Sequence, residues 1–441
     1  MSLQPPEKTR KLQEALHAKA KGSPGYRFYL LYDKVYREDV LAFAYQRCKR
    51  NSGAAGVDGQ SFKDIEAYGV ERWLGELAEA LRKKAYQPQA VRRVYIPKPD
   101  GSKRPLGIPT IRDRVVQTAV VVVLEPIFDA DLPPEQYAYR SGRNALEAVR
   151  KVHSLLNTGH TEVLDADLSA YFDSIPHTEL MKSVARRVSD RHVLHLIKMW
   201  LEAPIEETDE RGNKHRITRN RDEGRGTPQG APISPLLANL YMRRFVLGWK
   251  QLRHEQRFGA HIVNYADDLV ICCRSSAESA RAAMQHLMER LGLTVNTSKT
   301  RVCRVPAETF DFLGYTFGRC YSTRTGKAYL GTRPSRQRIA RLCRAIRDET
   351  ASRWVSTTAQ DRVKRLNYML RGWSNHFCLG PVSKAYRAID AHTRYQLRWW
   401  LCRKHKVRGP GITRYPDEYL YRTLGLIRLE LLTHSLPWAK A

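Results

Sequence analysis

The chain has 441 residues, of which 42% are hydrophobic and 27% are charged, with 75 Lys and Arg against 45 Asp and Glu. This length corresponds to about three domains, and the apolar content excludes a largely disordered chain. The net charge of +30 favours a polyanionic partner, and nucleic acid accounts for it most simply.

Amphipathic helices and short strands alternate over the first 318 residues, which predicts an α+β or α/β arrangement. Residues 90–109 are typical of a strand, a Pro-Asp-Gly turn and a second extended segment. The other predictions are helices at 71–86 and 144–156, a strand at 162–172, two short strands about a turn at 261–273, a helix at 279–293 and a strand at 293–302. The apolar stretch at 115–124 is too short to cross a bilayer, so we expect no membrane association.

Positive charge is concentrated after residue 318, where 26 Lys and Arg face 7 Asp and Glu. A composition boundary therefore falls near residue 319, and residues 319–335 are typical of a linker or a short hairpin. Basic amphipathic helices are predicted at 335–349, 361–377 and 386–406. Solvated basic faces would explain the charge alone, but the interleaved Arg and aromatic side chains favour phosphate contacts and base stacking.

The eight cysteines show no CxxC pair and no disulfide spacing, and the N-terminal segment lacks the apolar core of a signal peptide. Both features favour a reducing, cytosolic location. A zinc site can be drawn from His376, Cys378, Cys402 and His405, but their spacing matches no common zinc finger. Free thiols are the favoured interpretation.

Two acidic segments are the strongest indication of chemistry. Asp267 and Asp268 lie at a tight turn between apolar segments, for which an exposed Asp-rich turn is the plain alternative. A second apolar segment carries Asp165 and Asp167, and carboxylates that meet in this way suit a pair of Mg²⁺ ions. Side chains alternate along a strand, so Asp165 and Asp167 share a face, and parity leaves open which of them is the ligand.

Several blocks in order along the chain resemble those of a reverse transcriptase. These blocks are LDADLSAYFDSI, GTPQGAPISPLLANLYM, NYADDLVICC, LGLTVNTSKT and FDFLGYTF. More narrowly, the chain is similar to the bacterial group II intron reverse transcriptase/maturases over roughly residues 25–410, and LNYMLRGWSNHF resembles their thumb or maturase region. The resemblance implies an α+β right-hand polymerase, with an antiparallel palm sheet flanked by helices. The implied divisions are an N-terminal extension at 1–60, interleaved fingers and palm at 61–318, and a basic helical thumb/maturase domain at 319–441.

The resemblance also assigns roles to residues. Asp167, five residues before an aromatic, joins Asp267 and Asp268 as the catalytic ligands of two Mg²⁺ ions, for which Mn²⁺ is an open substitute. Phe172 resembles the gate that crowds the 2′ position of the incoming sugar, although a core aromatic is the alternative. The implied nucleotide-binding residues are Lys98, Arg104, Phe172, Gln229 and Lys299, and the implied primer grip is Phe312, Leu313, Gly314 and Tyr315.

The implied partners are the host group II intron RNA, an RNA template with a DNA primer, deoxynucleoside triphosphates and target DNA, in the bacterial cytosol or nucleoid. Aromatic and basic residues at 26–32 mark an extension that either covers the template strand or packs onto the fingers. The candidate RNA contacts are Arg365, Tyr368, Arg371, Trp373 and His376, each of which could equally be a surface or core residue.

Only about thirty residues follow residue 410, so we expect no endonuclease activity. Two other functions stay open. One is a domesticated reverse transcriptase of the retron, diversity-generating or defence- and repair-associated kind. The other is a catalytically silent RNA-binding splicing factor. The three aspartates, with Phe172 and Lys299 all present, favour an active enzyme.

Overall fold

The computed structural model describes residues 3–97, 101, 103–209, 211–322 and 324–433, and all secondary structure below refers to these ranges. The strands are β1 (Val91–Pro97), β2 (Lys103–Ile108), β3 (Glu162–Asp167), β4 (Ile205–Thr208), β5 (Lys214–Ile217), β6 (Ala260–Tyr265), β7 (Asp268–Cys273), β8 (Arg301–Arg304), β9 (Phe310–Phe312), β10 (Tyr315–Tyr321) and β11 (Ala328–Pro334).

The helices of the first half are α1 (Glu7–Gly22), α2 (Tyr32–Val35), α3 (Glu38–Arg50), α4 (Phe62–Tyr68), α5 (Val70–Arg82), α6 (Ile111–Asp129), α7 (Ala145–Asn157), α8 (Tyr171–Ser174), α9 (His177–Ala185) and α10 (Arg191–Glu202). Those of the second half are α11 (Arg219–Asp222), α12 (Ser234–Gln251), α13 (His254–Phe258), α14 (Ala277–Arg290), α15 (Arg336–Glu349), α16 (Ala359–His376), α17 (Ser383–Lys404) and α18 (Leu429–Leu432). The chain is therefore a mixed α/β protein, as its sequence predicts.

The strands form three sheets with the orders β2-β1-β4-β5, β6-β7-β3-β8 and β11-β10-β9. All pairings are antiparallel except that of β1 with β4. We call β6-β7-β3-β8 the carboxylate sheet, because it carries the acidic segments identified in the sequence. The two extended segments predicted within 90–109 form the antiparallel pair β1–β2. Most of the turn predicted between them lies outside the described residues.

A long buried helix, α6, organises the largest core. Thr110 caps its N-terminus by accepting a hydrogen bond from the backbone N–H of Asp113 at 3.1 Å. Fourteen of its nineteen residues are buried, so the apolar stretch within it is a core helix surrounded by α1, α3 and α12. No helix in the described ranges combines the length and apolar character needed to span a bilayer.

A second core joins the carboxylate sheet to β9–β11. It contains Val163, Val263 and Val270 from one sheet and Phe310 and Phe317 from the other. Residue 319 lies within β10, which pairs with β11 as antiparallel strands, so the hairpin alternative predicted from the sequence is the one observed. The composition boundary therefore falls inside a sheet.

In a third core, α15, α16 and α17 pack with the segment up to residue 433. We call these three helices and that segment the helical unit. The helices predicted at 335–349, 361–377 and 386–406 are confirmed within a few residues. Trp373 of α16 packs against both the second and the third core. This side chain therefore links the helical unit to the β9–β10 hairpin.

Two sequence predictions are wrong in part. The strand predicted at 162–172 ends at Asp167, and helix α8 begins at Tyr171. Residues 293–302 do not form one strand, because residues 297–299 are a turn and β8 begins only at Arg301. The turn is stabilised by Asn296, whose carbonyl accepts hydrogen bonds from the backbone of Lys299 and Thr300. All eight cysteines are free thiols, and six of them are buried.

Candidate active site

The two acidic segments meet in the carboxylate sheet. Strand β3 pairs with β7 so that Asp167 lies directly opposite Asp268. Directly opposed residues in an antiparallel pair have Cα atoms about 4.5–5.5 Å apart and side chains on the same face. The sequence predicts that these two aspartates, about a hundred residues apart, lie close together. The register of β3 with β7 places them opposite each other.

Asp267 is held at the tip of the β6–β7 hairpin. Tyr265 pairs with Asp268, so the loop contains only Ala266 and Asp267, and Ala266 has a left-handed φ of 59°. The fully buried side chain of Asn264 donates to the carbonyl of Ala266 at 2.8 Å. This buried amide stabilises the turn through the carbonyl of Ala266 and leaves the two carboxylates at the tip of the hairpin.

The electrostatics of the site centre on Asp268. Its partial burial raises the pKa of Asp268 to about 7, and the charges of Asp267, Asp165 and Asp167 act in the same direction. Arg338 of α15 is the cation that opposes this rise. Because crowded carboxylates repel one another, the site favours a cation between them.

Asp165 has a different environment from Asp167. Its carboxylate lies 3.6 Å from Nε of Arg301 on the neighbouring strand β8. Burial raises the pKa of Asp165 to about 6, which Arg301 opposes and Asp167 reinforces. The two aspartates share a face, as parity requires, but Asp165 lies within the strand opposite Val270, while Asp167 lies at the strand end opposite Asp268.

Lys299 is the cation beside Asp167. Its Nζ lies 4.0 Å from the carboxylate of Asp167, and its side chain is 61% exposed. Two backbone contacts hold this corner: the N–H of Asp167 donates to Thr300 Oγ1 at 3.2 Å, and the carbonyl of Asp167 accepts from Asn296 at 2.8 Å. The turn that replaces the predicted strand therefore brings Lys299 to the acidic site.

Phe172 and Gln229, two other predicted nucleotide-binding residues, are each held by a backbone hydrogen bond from a neighbouring segment. Thr227 donates its N–H to the carbonyl of Phe172 at 2.8 Å, and Gly107 of β2 donates to the carbonyl of Gln229 at 2.6 Å. Gly230 has a φ of 108°, and a Cβ there would lie 2.5 Å from the carbonyl oxygen of Gly107. Glycine is therefore required where the loop approaches β2.

Arg104 lies exposed on β2, where it pairs with Ile96 of β1. Burial raises the pKa of Tyr139. The negative charge of Asp267 raises this pKa further, and the positive charge of Arg104 opposes the rise. Tyr139, which is 50% exposed with a left-handed φ of 54°, is therefore near both the predicted triphosphate cation and the acidic turn. No sequence motif marks this tyrosine. Lys98 lies outside the described residues.

The predicted primer grip forms the β9–β10 turn and contacts the end of α16. Phe312 and Tyr315 are buried, and Leu313 and Gly314 have left-handed φ values of 51° and 84°. The hydroxyl of Tyr315 donates to the carbonyl of His376, and the imidazole Nε2 of His376 lies 3.3 Å from the carbonyl of Leu313. The turn is thus anchored by the helical unit.

The five candidate RNA contacts of α16 divide into two groups. Tyr368 is 73% exposed and Arg371 is exposed, while Arg365 is exposed but donates to Glu349 at 3.2 Å. The ring centroid of Trp373 instead lies 4.6 Å from the ring centroid of Phe377, and His376 lies against the same Phe377 ring. The main contacts of Trp373 and His376 are within the protein.

A cleft of about 640 Å³ runs between the acidic turn and the helical unit. It is lined by Tyr265, Asp268, Leu313, Arg338, Arg341 and Tyr368, among others. The lining of the cleft therefore combines a carboxylate, two arginines and Leu313 of the predicted primer grip. Arg338 and Arg341 were not among the residues singled out from the sequence, because a helical pattern shows that α15 is basic but not which side faces the cleft.

The donor chemistry suits a hard divalent cation, since Mg²⁺ binds carboxylate oxygens and the three aspartates repel one another without a cation. Among the residues that the structure describes, no three acidic, His or Cys side chains converge closely enough to enclose a single metal ion. Asp167 and Asp268 provide a facing pair, and Asp267 lies beside them on the turn.

Comparisons with known families match two regions of the chain. Residues 96–317 match the family described as reverse transcriptase (RNA-dependent DNA polymerase), and residues 339–415 match the group II intron maturase-specific domain. The acidic turn, Lys299 and the primer-grip turn lie in the first region, and α16 lies in the second. The chain belongs to the reverse transcriptase family.

More particularly, it belongs with the group II intron-encoded reverse transcriptase/maturases, as its sequence resemblance predicts. It is 32% identical to protein YkfC of Escherichia coli, over 69% of this chain and 87% of that protein. It is also 32% identical to the group II intron-encoded protein LtrA of Lactococcus lactis, over 51% of this chain and 36% of LtrA. A 91 kDa protein in the cob intron of Schizosaccharomyces pombe is 23% identical over 78% of this chain and 50% of that protein. The matches therefore span half or less of the two longer relatives.

Proposed function

We propose that this protein is an RNA-directed DNA polymerase that copies intron RNA into cDNA, and a maturase that binds its host group II intron RNA. The observation that carries the first activity is the facing pair of Asp167 and Asp268 beside the Asp267 turn. The maturase-specific match at residues 339–415 and the likeness to the intron-encoded protein LtrA support the second.

In this proposal two of the sheets and the three helices α15 to α17 correspond to parts of a right-hand polymerase. The sheet β2-β1-β4-β5 would belong to the fingers, the carboxylate sheet to the palm, and α15 to α17 to the thumb and maturase domain. The residues before about 60 would be an N-terminal extension. Phe28 and Tyr32 of that segment are buried and Tyr29 is 61% exposed, which suits an extension packed on the fingers with one aromatic free for a partner.

The reaction is attack by the primer 3′ hydroxyl on the α-phosphorus of a deoxynucleoside triphosphate. A bond forms between O3′ and the phosphorus, and the bond to the pyrophosphate oxygen breaks. Bound Mg²⁺ ions would lower the pKa of the hydroxyl and stabilise the departing pyrophosphate. Asp167, Asp267 and Asp268 would hold these ions, because the end of β3 and the tip of the β6–β7 hairpin bring them side by side.

The remaining residues act directly on the substrates. Lys299, 4.0 Å from Asp167, would neutralise the triphosphate and donate a proton to the leaving pyrophosphate. Arg104, with Lys98, would bind the triphosphate from the fingers side. Phe172 would crowd the 2′ position, since a single hydroxyl distinguishes the two classes of nucleotide.

Host RNA binding would use the exposed members of α16. Tyr368 and Arg371 offer an aromatic face and a guanidinium to solvent, the combination that suits stacking and phosphate contacts. Trp373 and His376 would act only indirectly, by holding the helix against the primer grip.

Primer extension on poly(rA)/oligo(dT) with Mg²⁺, together with binding to the host intron RNA, tests the proposal. We expect DNA synthesis and salt-dependent intron binding. Intron binding without synthesis would instead identify a catalytically silent splicing factor. Synthesis by a protein that shows no preference for a group II intron RNA would identify a domesticated reverse transcriptase.

A further inference from the structure

The hairpin that carries the acidic turn lies at one edge of its sheet. The strand order is β6-β7-β3-β8, so within the described residues β6 has a neighbouring strand on one side only. On its other side, the backbone N–H of Asn264 donates to the carbonyl of Glu135 at 2.9 Å, and the carbonyl of Asn264 accepts from the N–H of Tyr137 at 3.0 Å. Residues 135–138, which we call the edge segment, therefore cover the open edge of β6.

Two buried amides hold the edge segment against helix α12. The fully buried side chain of Gln136 donates to the backbone carbonyl of Asn239 at 3.0 Å. The buried side chain of Asn239 donates in return to the carbonyl of Ala138 at 2.7 Å. We call Gln136 and Asn239 the amide clamp. Because each side chain bonds the backbone at or beside the other residue, the clamp fixes the edge segment relative to α12 in two places.

Asn264 connects the edge segment to the acidic turn. Its side-chain amide donates to the carbonyl of Ala266 at 2.8 Å and to the carbonyl of Asp268 at 3.4 Å. Since the Asn264 side chain is fully buried, it cannot touch a nucleotide or a primer. Asn264 can therefore act on a reaction at this site only through the position of Asp267 and Asp268.

Two of these amides use only their donor groups. Among the described residues, Oδ1 of Asn264 and Oε1 of Gln136 receive no hydrogen bond. A buried acceptor without a donor costs free energy, so an apolar side chain would be favoured at both positions if packing were the only requirement. What each amide supplies is an N–H directed at particular backbone carbonyls.

We propose that Asn264 is a positioning residue of the polymerase site, and that the amide clamp acts through it to set where Asp267 and Asp268 lie relative to Asp167. The inference rests on the proposed polymerase function, in which these carboxylates hold divalent cations. Loss of the Asn264 amide leaves the carbonyl of Ala266 without its buried donor, so the turn relaxes and the carboxylates lose their spacing. Replacing a residue that orients metal ligands typically weakens metal binding by about 10- to 100-fold.

Mn²⁺ binding tests the inference without relying on catalysis. Binding to the full chain is followed by the EPR signal of free Mn²⁺, and the site-specific part is the binding that Asp267→Asn removes. Asn264→Leu, which keeps the branched shape but has no donor, should weaken that binding about tenfold or more. Gln136→Met and Asn239→Leu should weaken it by a smaller factor. In primer extension, these variants should need more Mg²⁺ for half-maximal rate, while the KM for the nucleotide at saturating Mg²⁺ stays close to that of the wild type.

A double variant shows whether the clamp acts through Asn264. Gln136→Met added to Asn264→Leu should weaken Mn²⁺ binding no further than Asn264→Leu alone, whereas independent effects would add. Asn220→Leu is the matched control. The side chain of Asn220, on α11 and outside the carboxylate sheet, also donates to two backbone carbonyls, and its Oδ1 also receives no hydrogen bond from the described residues. This control should lose stability without a change in Mn²⁺ affinity.

Thermal unfolding in EDTA is measured for every variant, so that Mn²⁺ binding is compared only between folded proteins. If Asn264→Leu does not fold, Gln136→Met decides in its place. Site-specific Mn²⁺ binding equal to that of the wild type in the folded variant would overturn the inference and leave these amides as packing residues. A wild-type protein without site-specific Mn²⁺ binding would instead overturn the proposed polymerase site, and the inference with it.

Discussion

Asp167 and Asp268 lie opposite one another in the antiparallel pairing of β3 with β7. Asp165, two residues earlier on the same face, is instead opposite Val270 and lies 3.6 Å from Arg301. Two carboxylates that parity alone makes equivalent are therefore distinguished by what faces them. Both have a cation nearby, Arg301 for Asp165 and Lys299 for Asp167, but only Asp167 has a second carboxylate opposite it.

Replacing Asp267 by Asn should abolish DNA synthesis while leaving RNA binding largely intact. The loss of a carboxylate that holds a divalent cation removes several kcal/mol of transition-state stabilisation, which corresponds to about a thousandfold in rate or more. The comparison variant is Asp165→Asn, whose carboxylate is already paired with Arg301 and should retain most activity. Primer extension and RNA binding are measured on both, and near-normal extension by the Asp267 variant would refute the assignment.

Replacing Phe172 by Ala should relax discrimination against ribonucleotides. The ratio of kcat/KM for a deoxynucleotide to that for its ribonucleotide should fall by about 10- to 200-fold, the range available to a steric contact. Tyr171→Phe is the control, because that buried side chain points its hydroxyl at the carbonyl of Ala238, 2.7 Å away. If both variants kept the wild-type ratio, Phe172 would be only a packing residue.

Replacing Gly230 by Ala should raise the KM for the nucleotide and lower stability. The new Cβ would lie 2.5 Å from the carbonyl oxygen of Gly107, so the loop that carries Gln229 must move away from β2. Gly142→Ala shares the positive φ but has nothing within 4 Å of the new Cβ, so it isolates the cost of backbone strain. We expect thermal or denaturant unfolding to show a further loss of about 1–3 kcal/mol for Gly230 over Gly142. Equal losses would show that the close approach is unimportant.

The residues of α16 should separate into RNA-binding residues and packing residues. Charge reversal at Arg371 should weaken intron binding and reduce the salt slope, by about 0.9 for each duplex phosphate that the protein no longer neutralises. Tyr368→Ala should weaken binding with a change in stability within about 0.5 kcal/mol, because the ring is 73% exposed.

Trp373→Ala is the contrasting variant of the same helix. It should destabilise the protein by about 3 kcal/mol, since this ring packs against two cores. The free energy of unfolding from denaturant titration is the measurement. An unchanged salt slope for the Arg371 variant would exclude this surface as the intron contact.

Local elements followed from the sequence where their periodicity was strong. The helices of the basic C-terminal region and the hairpin around Asp267 and Asp268 have the predicted type and nearly the predicted bounds. The strand predicted at 293–302 is interrupted by a turn at 297–299, where the carbonyl of Asn296 accepts backbone hydrogen bonds from Lys299 and Thr300. The helix α6 was not predicted, since an apolar stretch without polar spacing shows no helical period.

The candidate site was predictable in its acidic members and less so in its cations. Asp267 and Asp268 are adjacent in the sequence, and Lys299 lies within the recognisable block LGLTVNTSKT. Tyr139 and Arg338 come from segments with no distinctive motif, and their proximity to the site depends on contacts between distant parts of the chain. Trp373 and His376 have residue types that suit RNA contact, and their contacts in the structure are with Phe377 and Leu313 of the protein itself.

The sequence by itself determined the chemistry: which carboxylates, cations and aromatic rings are present, in what order, and on which kind of local element. Only the tertiary structure decided that Asp167 rather than Asp165 faces Asp268, that α15 turns two arginines toward the cleft, and which aromatics of α16 remain exposed. The physical reason is that periodicity is a local property of the backbone. Strand register and helix orientation, in contrast, are set by burial of apolar faces against segments a hundred or more residues away.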